Sequence, residues 1–198
     1  MKIALLPGHA RKSEGATVCA GYYESFGEFA LASHYLPQVR ECLECLGHDA
    51  VITCRENAGG TTPSYSAKAA NATGANLALE WHFNSVDDPK TAGCEVLYWG
   101  RSEKSQLFAE KLSARMARIL GVPNRGAKPV TDKEDRGYSA FHKSRMPFFM
   151  LEPCFAGSND AEARAFGLAI TERWFQRRVA HAVNECLNEV YGKESDHA

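Results

Sequence analysis

The sequence predicts a single α/β domain: about six strands in a twisted, mostly parallel or mixed sheet with helices on both faces. Three observations carry this reading. Short apolar runs alternate with stretches of helical periodicity, no internal repeat or linker interrupts them, and 198 residues that are 44% apolar suffice for one sizeable core.

Lys2 to Pro7 is a short apolar run ended by Pro-Gly, a buried first strand that delivers His9 to the loop at its carboxyl end. The small and polar residues Ala10 to Tyr22 form that loop. Glu24 opens a helix whose Phe26, Phe29, Ala30, Ser33 and Leu36 share neighbouring faces, Pro37 is expected to kink or restart it, and Val39, Leu43 and Leu46 continue it to Gly47. Ala50 to Cys54 is the second strand, Arg55 to Ser64 a loop, Tyr65 to Ala75 a short helix, and Leu77 to His82 the third strand. Cys94 to Trp99 is another strand. Glu103 to Leu120 is the clearest helix, with Phe108, Leu112, Met116, Ile119 and Leu120 at helical spacing and Gly121 as its stop. Asn124 to Tyr138 reads as a strand fragment within surface loop, Pro147 to Leu151 as the last strong strand, and Asp160 to about Tyr191 as helical with an imperfect stripe. Residues 193–198 are expected to be a frayed tail, which leaves 1–192 as the expected domain with no separate binding module expected.

Several classes are excluded. The net charge is −1 and the basic residues form no long tract, so no nucleic-acid partner is expected. The apolar start is too short for a signal-peptide core, and no stretch approaches the roughly twenty apolar residues of a membrane span. A soluble, monomeric protein made in the cytoplasm is expected, with no stable membrane insertion. Seven cysteines, an odd number, suit reduced thiols better than a disulfide framework. Cys42 and Cys45 form a C-x-x-C pair, but in an apolar helical stretch with no second pair, where buried thiols acting as small hydrophobes are the simpler reading.

Four short pieces carry the chemistry. His9 and His82 end two strands, and in α/β sheets such ends gather in one crevice. Glu24 either completes a His, Glu, His set or serves as an acid at a helix N-terminus. Two imidazoles and one carboxylate suit a catalytic zinc, whose fourth position stays open for water. Glu152 ends the run Phe148-Phe149-Met150-Leu151, where a charge is expensive to desolvate. Either it answers a salt bridge from Arg55, Arg136 or Arg145, or it is the general base and then the general acid for a zinc-bound water. Asn84 is a candidate for orienting substrate or for a structural turn, and His142 for substrate contact, oxyanion stabilisation or plain surface. Glu80 shares a strand face with His82, so it either bonds that histidine or forms an ion pair elsewhere.

Taken in order, Pro7-Gly8-His9, Glu24, Thr53-Cys54-Arg55, Ala70-Asn71, Glu80-Trp81-His82-Phe83-Asn84, Gly93 to Tyr98, Arg125-Gly126 and Leu151 to Phe155 resemble zinc-dependent N-acetylmuramoyl-L-alanine amidases of the amidase-3 type, and also compact phage endolysins. The likeness spans about residues 2 to 170. It implies one Zn2+ held by His9, Glu24 and His82, Glu152 as catalytic acid/base, and bacterial peptidoglycan as the substrate. The implied reaction is hydrolysis of the amide between the lactyl group of N-acetylmuramic acid and L-alanine, after release from the cell that makes the protein with outside help such as a holin. Ala10-Arg11-Lys12 stands where relatives often have a glycine pair, Glu80 where a small polar residue is commoner, and Ala67-Lys68 where an arginine is frequent.

Two other functions remain at this stage. A zinc carboxypeptidase on wall peptides shares the water chemistry but needs a cation for a terminal carboxylate, with Arg125, Arg136 or Arg145 as candidates. A non-catalytic peptidoglycan-binding protein would keep the fold without needing Glu152. Arg173, Arg177 and Arg178 beside Trp174 and Phe175 offer a third contact, with an anionic membrane surface, against the reading of a solvated helix face diluted by Glu172, Glu185 and Glu189.

Overall fold

Strands that are apolar on both faces need cover on both, and the computed structural model, which describes residues 1–18 and 26–192, provides it. In chain order the elements are β1 (Lys2–Pro7), α1 (Glu28–Cys45), β2 (Asp49–Ile52), α2 (Pro63–Thr73), β3 (Leu77–Trp81), β4 (Cys94–Trp99), α3 (Glu103–Leu120), β5 (Asn124–Val130), α4 (Tyr138–Lys143), β6 (Phe148–Glu152), α5 (Asp160–Thr171) and α6 (Arg173–Tyr191). A 3-10 turn, Arg55–Ala58, precedes α2. The strands form one six-stranded sheet in the order β2-β1-β3-β6-β4-β5, in which every neighbouring pair is parallel except β6 with β4.

Strand parity divides the core. Ile3, Leu5, Leu79, Trp81, Phe149 and Leu151 face α1, α3, α5 and α6, whereas Ala4, Leu6, Ala78, Leu97, Phe148 and Met150 face α2 and α4. By the same alternation Glu80, Glu95 and Glu152 point to the α2/α4 side. Glu80 pairs in register with Leu6 and Met150, and Glu95 lies directly opposite Glu152. All three carboxylates are buried.

The helices follow their local chemistry. Ser102 caps α3 by accepting a hydrogen bond from the Ser105 N–H at 3.2 Å, and Gly121 ends it at φ +70°. Pro37 does not restart α1, which runs unbroken through it. Pro37 has no N–H to give Ser33, but Ser33 is exposed, so solvent can satisfy its carbonyl. The C-terminal stripe is imperfect because two helices share it: Glu172 turns the chain at φ −101°, ψ 123°, and Gln176 closes the corner by donating to the Ile170 carbonyl at 2.7 Å. Helix α4 falls between the expected loop and the last strand, in a stretch for which the sequence predicts no helix. Cys42 is partly buried and Cys45 exposed, so the C-x-x-C pair straddles the helix edge rather than lying in the core.

One contact pins the chain just beyond Glu152. Asn159 caps α5 by accepting from the Ala161 and Glu162 N–H groups, each at 3.1 Å, and the buried Glu162 carboxylate accepts from Phe155 N–H at 2.6 Å and Gly93 N–H at 2.7 Å. Glu162→Ala leaves both buried donors unpaired, and a loss on the order of 3 kcal/mol in urea unfolding is expected. A loss below about 1 kcal/mol would mean that the loop finds other acceptors.

Candidate metal centre

The end of β1 is built for close approach. The Gly8 N–H donates to the Trp81 carbonyl at 2.7 Å, and a Cβ on Gly8 would come within 2.5 Å of the His82 ring. His9 has φ +61°, a left-handed conformation uncommon for a residue other than glycine, and Gly15, itself at φ +82°, leaves room for its ring. These features aim His9 at the end of β3.

Glu28, the first residue of α1, meets both imidazoles. Its Oε2 accepts from His82 Nδ1 at 2.8 Å and lies 3.3 Å from His9 Nε2, while its Oε1 accepts from the Ala16 N–H at 3.0 Å. One ligand atom from each of His9, Glu28 and His82 lies within 4.8 Å of the other two, the one such grouping of three or more among the described residues. Burial alone would raise the Glu28 pKa, but the bonds from His82 and His9 outweigh it and lower it to about 2. For His82, burial disfavours the charged ring, yet Glu28 and Glu80 on either side push its pKa up to about 10. Two imidazoles and a carboxylate converging around small-residue gaps fit a borderline-soft divalent cation such as zinc.

Glu152 closes the other side of the cleft. It is buried at the end of β6, with Oε1 3.4 Å from Arg136 Nη2 and Oε2 without a partner. Burial pushes its pKa from the ordinary 4.5 to about 7, with Glu28 and Glu95 adding repulsion and His82 and Arg136 offsetting part of it. Of the three arginines considered from sequence, Arg136 is the one that reaches it. Arg136 also donates to Asn84 Oδ1 at 2.5 Å and to Glu95 Oε1 at 3.1 Å, and Arg125 Nε holds Glu95 Oε2 at 2.9 Å.

Arg55 answers Glu80 instead, with Nη2 to Oε1 at 2.9 Å, and Ser66 Oγ donates to the same oxygen at 2.5 Å. Burial raises the Glu80 pKa, but His82, Arg55 and Ser66 outweigh it and hold it at about 2. His9, Glu28, His82, Arg136 and Glu152 line one cleft of about 490 Å³. A groove of about 510 Å³ beside α2, lined by Tyr65, Lys68, Lys143 and Arg145, contains none of these ligand groups.

The sequence-predicted residues divide accordingly. His9, His82 and Glu152 share the cleft. Asn84 lines it too, but both ends of its amide are committed, to Glu95 at 3.0 Å and to Arg136. His142 is exposed and stacks on Tyr138 with ring centroids 5.3 Å apart, in a groove other than this cleft. Glu24 lies outside the described residues, and the carboxylate that meets the imidazoles is Glu28, four positions later. The sequence reading does not reach Glu28 because it starts the helix at Glu24, whereas α1 begins at Glu28. Glu28 lies one turn before the buried Leu31 and Ala32 and two turns before Tyr35, on the same face, a relation that shows only once the buried face is located.

The sequence matches a family model described as Amidase_3, N-acetylmuramoyl-L-alanine amidase, over residues 3–189. A search of curated proteins returns no match. Among solved structures, the chain is similar to an N-acetylmuramoyl-L-alanine amidase from Clostridium difficile 630, with TM-score 0.75, 15% identity and coverage of 98% of this chain and 97% of the other. It is also similar to the AmiC2 amidase of Nostoc punctiforme, with TM-score 0.69, 22% identity and 96% of each chain covered. A third similar structure is the catalytic domain of the CD27L endolysin targeting Clostridia difficile, with TM-score 0.67, 21% identity and 96% and 97% covered.

Proposed function

Because the chain belongs to the N-acetylmuramoyl-L-alanine amidase family, we propose that it hydrolyses the amide joining N-acetylmuramic acid to L-alanine in bacterial peptidoglycan, with one zinc held by His9, Glu28 and His82. The observation that carries this reading is a three-donor cluster, two imidazoles and a carboxylate, sharing a cleft with a buried carboxyl that has one unpartnered oxygen. Glu28 takes the place that the sequence reading gave to Glu24.

Zinc, when bound, would acidify a water and polarise the scissile carbonyl. The remaining work belongs to this chain's side chains. Glu152, whose pKa near 7 suits proton transfer at neutral pH, takes the proton from the attacking water and returns it to the departing L-alanine nitrogen. Arg136, half-exposed and anchored by Asn84 and Glu95, holds Glu152 by its Oε1 and leaves Oε2 available. Glycan and stem peptide separate as products.

All these groups come from one chain, which supports action as a monomer. No described helix is long and apolar enough to cross a membrane. An endolysin-like role, acting on the wall after release from the producing cell, is part of the proposal and draws support from the fold shared with CD27L. The carboxypeptidase reading is not favoured, because Arg125 and Arg136 are engaged with Glu95 and Glu152 while Arg145 lines the groove beside α2.

Metal analysis and product analysis together test the proposal. About one zinc per chain is expected, removable by chelator together with lytic activity. Digested peptidoglycan is expected to show new α-amines on L-alanine. Released C-terminal amino acids instead would establish a peptidase, and full activity after complete metal removal would end the zinc mechanism.

A further inference from the structure

Glu80 is a fully buried carboxylate on a strand, and a buried ion pair is often no better for stability than well-packed apolar residues of the same volume. Its Oε1 is saturated: Arg55 Nη2 at 2.9 Å, Arg55 Nε at 3.2 Å and Ser66 Oγ at 2.5 Å all donate to it. Arg55 is itself buried and fixed by a further bond from Nη1 to the Thr61 carbonyl at 3.0 Å. The carboxylate is thus neutralised and cannot swing.

The other oxygen, Oε2, has no hydrogen-bond partner, and neither has His82 Nε2. The two buried atoms face each other at 3.6 Å. On the opposite edge of the ring, Nδ1 faces Glu28. A neutral imidazole has one N–H and one lone pair, so whichever group claims the hydrogen on one side decides which nitrogen can bind metal on the other.

We propose that Glu80, locked by Arg55 and Ser66, is a positioning residue for His82: it accepts the Nε2–H and so presents the Nδ1 lone pair toward Glu28 and His9. This rests on the metal-site reading above. A small side chain cannot hold the ring from behind, whereas a carboxylate anchored on its far oxygen can.

Glu80→Gln inverts the arrangement. Arg55 and Ser66 are donors and retain the amide oxygen, which turns the amide NH2 toward His82 Nε2. That nitrogen must then accept, and the ring hydrogen moves to Nδ1, where the metal should bind. Zinc affinity, measured by competition with a chromophoric chelator on the full chain, is expected to fall about 10- to 100-fold with the far-UV circular dichroism unchanged. In the zinc-loaded wild type, 15N NMR is expected to place the His82 hydrogen on Nε2, in a hydrogen-bonded and slowly exchanging state. That spectrum carries the test alone if the variant does not fold. Zinc affinity within about twofold of wild type in a folded Glu80→Gln protein, or an Nε2–H that exchanges freely in the wild type, overturns the positioning role while leaving the metal site intact. A wild type that binds no zinc at all overturns the metal-site reading and this inference with it.

Discussion

Glu152→Gln is expected to slow hydrolysis of purified peptidoglycan by about 10²- to 10⁴-fold, because the amide can neither take nor return the water's proton. Zinc content should stay at the wild-type level, since Glu152 is not among the three clustered ligands. The same variant is expected to stabilise the metal-free protein at alkaline pH. A carboxyl whose pKa rises from 4.5 to about 7 on folding binds its proton more tightly in the native state. Between those values the folded protein carries a proton that the unfolded chain has lost, so this group's contribution to stability falls as pH rises and is at its most unfavourable above 7. The full penalty is at most about 3 kcal/mol. Glutamine removes it, together with an Arg136 contact at 3.4 Å to a half-exposed side chain that contributes little. Urea unfolding after chelation should therefore show the variant more stable than wild type at pH 8, with a smaller gain at pH 5. A variant less stable at pH 8 would mean that Glu152 is not held at a cost in the folded state.

Glu28→Gln is the second large effect. Stoichiometric zinc is expected to be lost and kcat/KM to fall by about 10³-fold or more, the equivalent of several kcal/mol of transition-state stabilisation. Glutamine retains an oxygen for the Ala16 N–H, so the start of α1 should survive, whereas Glu28→Ala would leave that donor and His82 Nδ1 unpaired and confound the result. Glu24→Ala serves as the matched control. If Glu24→Ala empties the site and Glu28→Gln does not, the carboxylate ligand is misassigned.

The parts of this molecule that were readable from sequence are those where local and global preferences agree. Helix α3 carries a serine cap, a clean apolar stripe and a glycine stop, and its observed bounds coincide with those expected. His9, His82 and Glu152 stand out because each follows an apolar run, and a polar group at that place must be accounted for. Glu28 has no such contrast. Its N-cap, Gly27, offers no side-chain bond, and one acid among several before a helix is indistinguishable without knowing where the buried face begins. Arg136 lies in a connection with no periodicity, and only the tertiary path brings it to Glu152. Strand β5 is an edge strand containing Pro129, mostly exposed or half-buried, so its pattern is polar and only a fragment of it was evident. The break between α5 and α6 lacks Gly or Pro and is set by packing around Gln176.

The single reversal in the sheet has a consequence for how this enzyme can diversify. Because β4 runs against β6, and β6 runs with β3, the segment from His82 to Gly93 leaves and re-enters the sheet at the same end, the one bearing the cleft. It need not traverse a face or carry a crossover helix. Extra residues inserted there would lengthen a rim already next to the cleft, at a closure cost that grows only logarithmically with length. New wall chemistries can thus be accommodated by editing one short surface connection, with the barrier of packed helices left untouched.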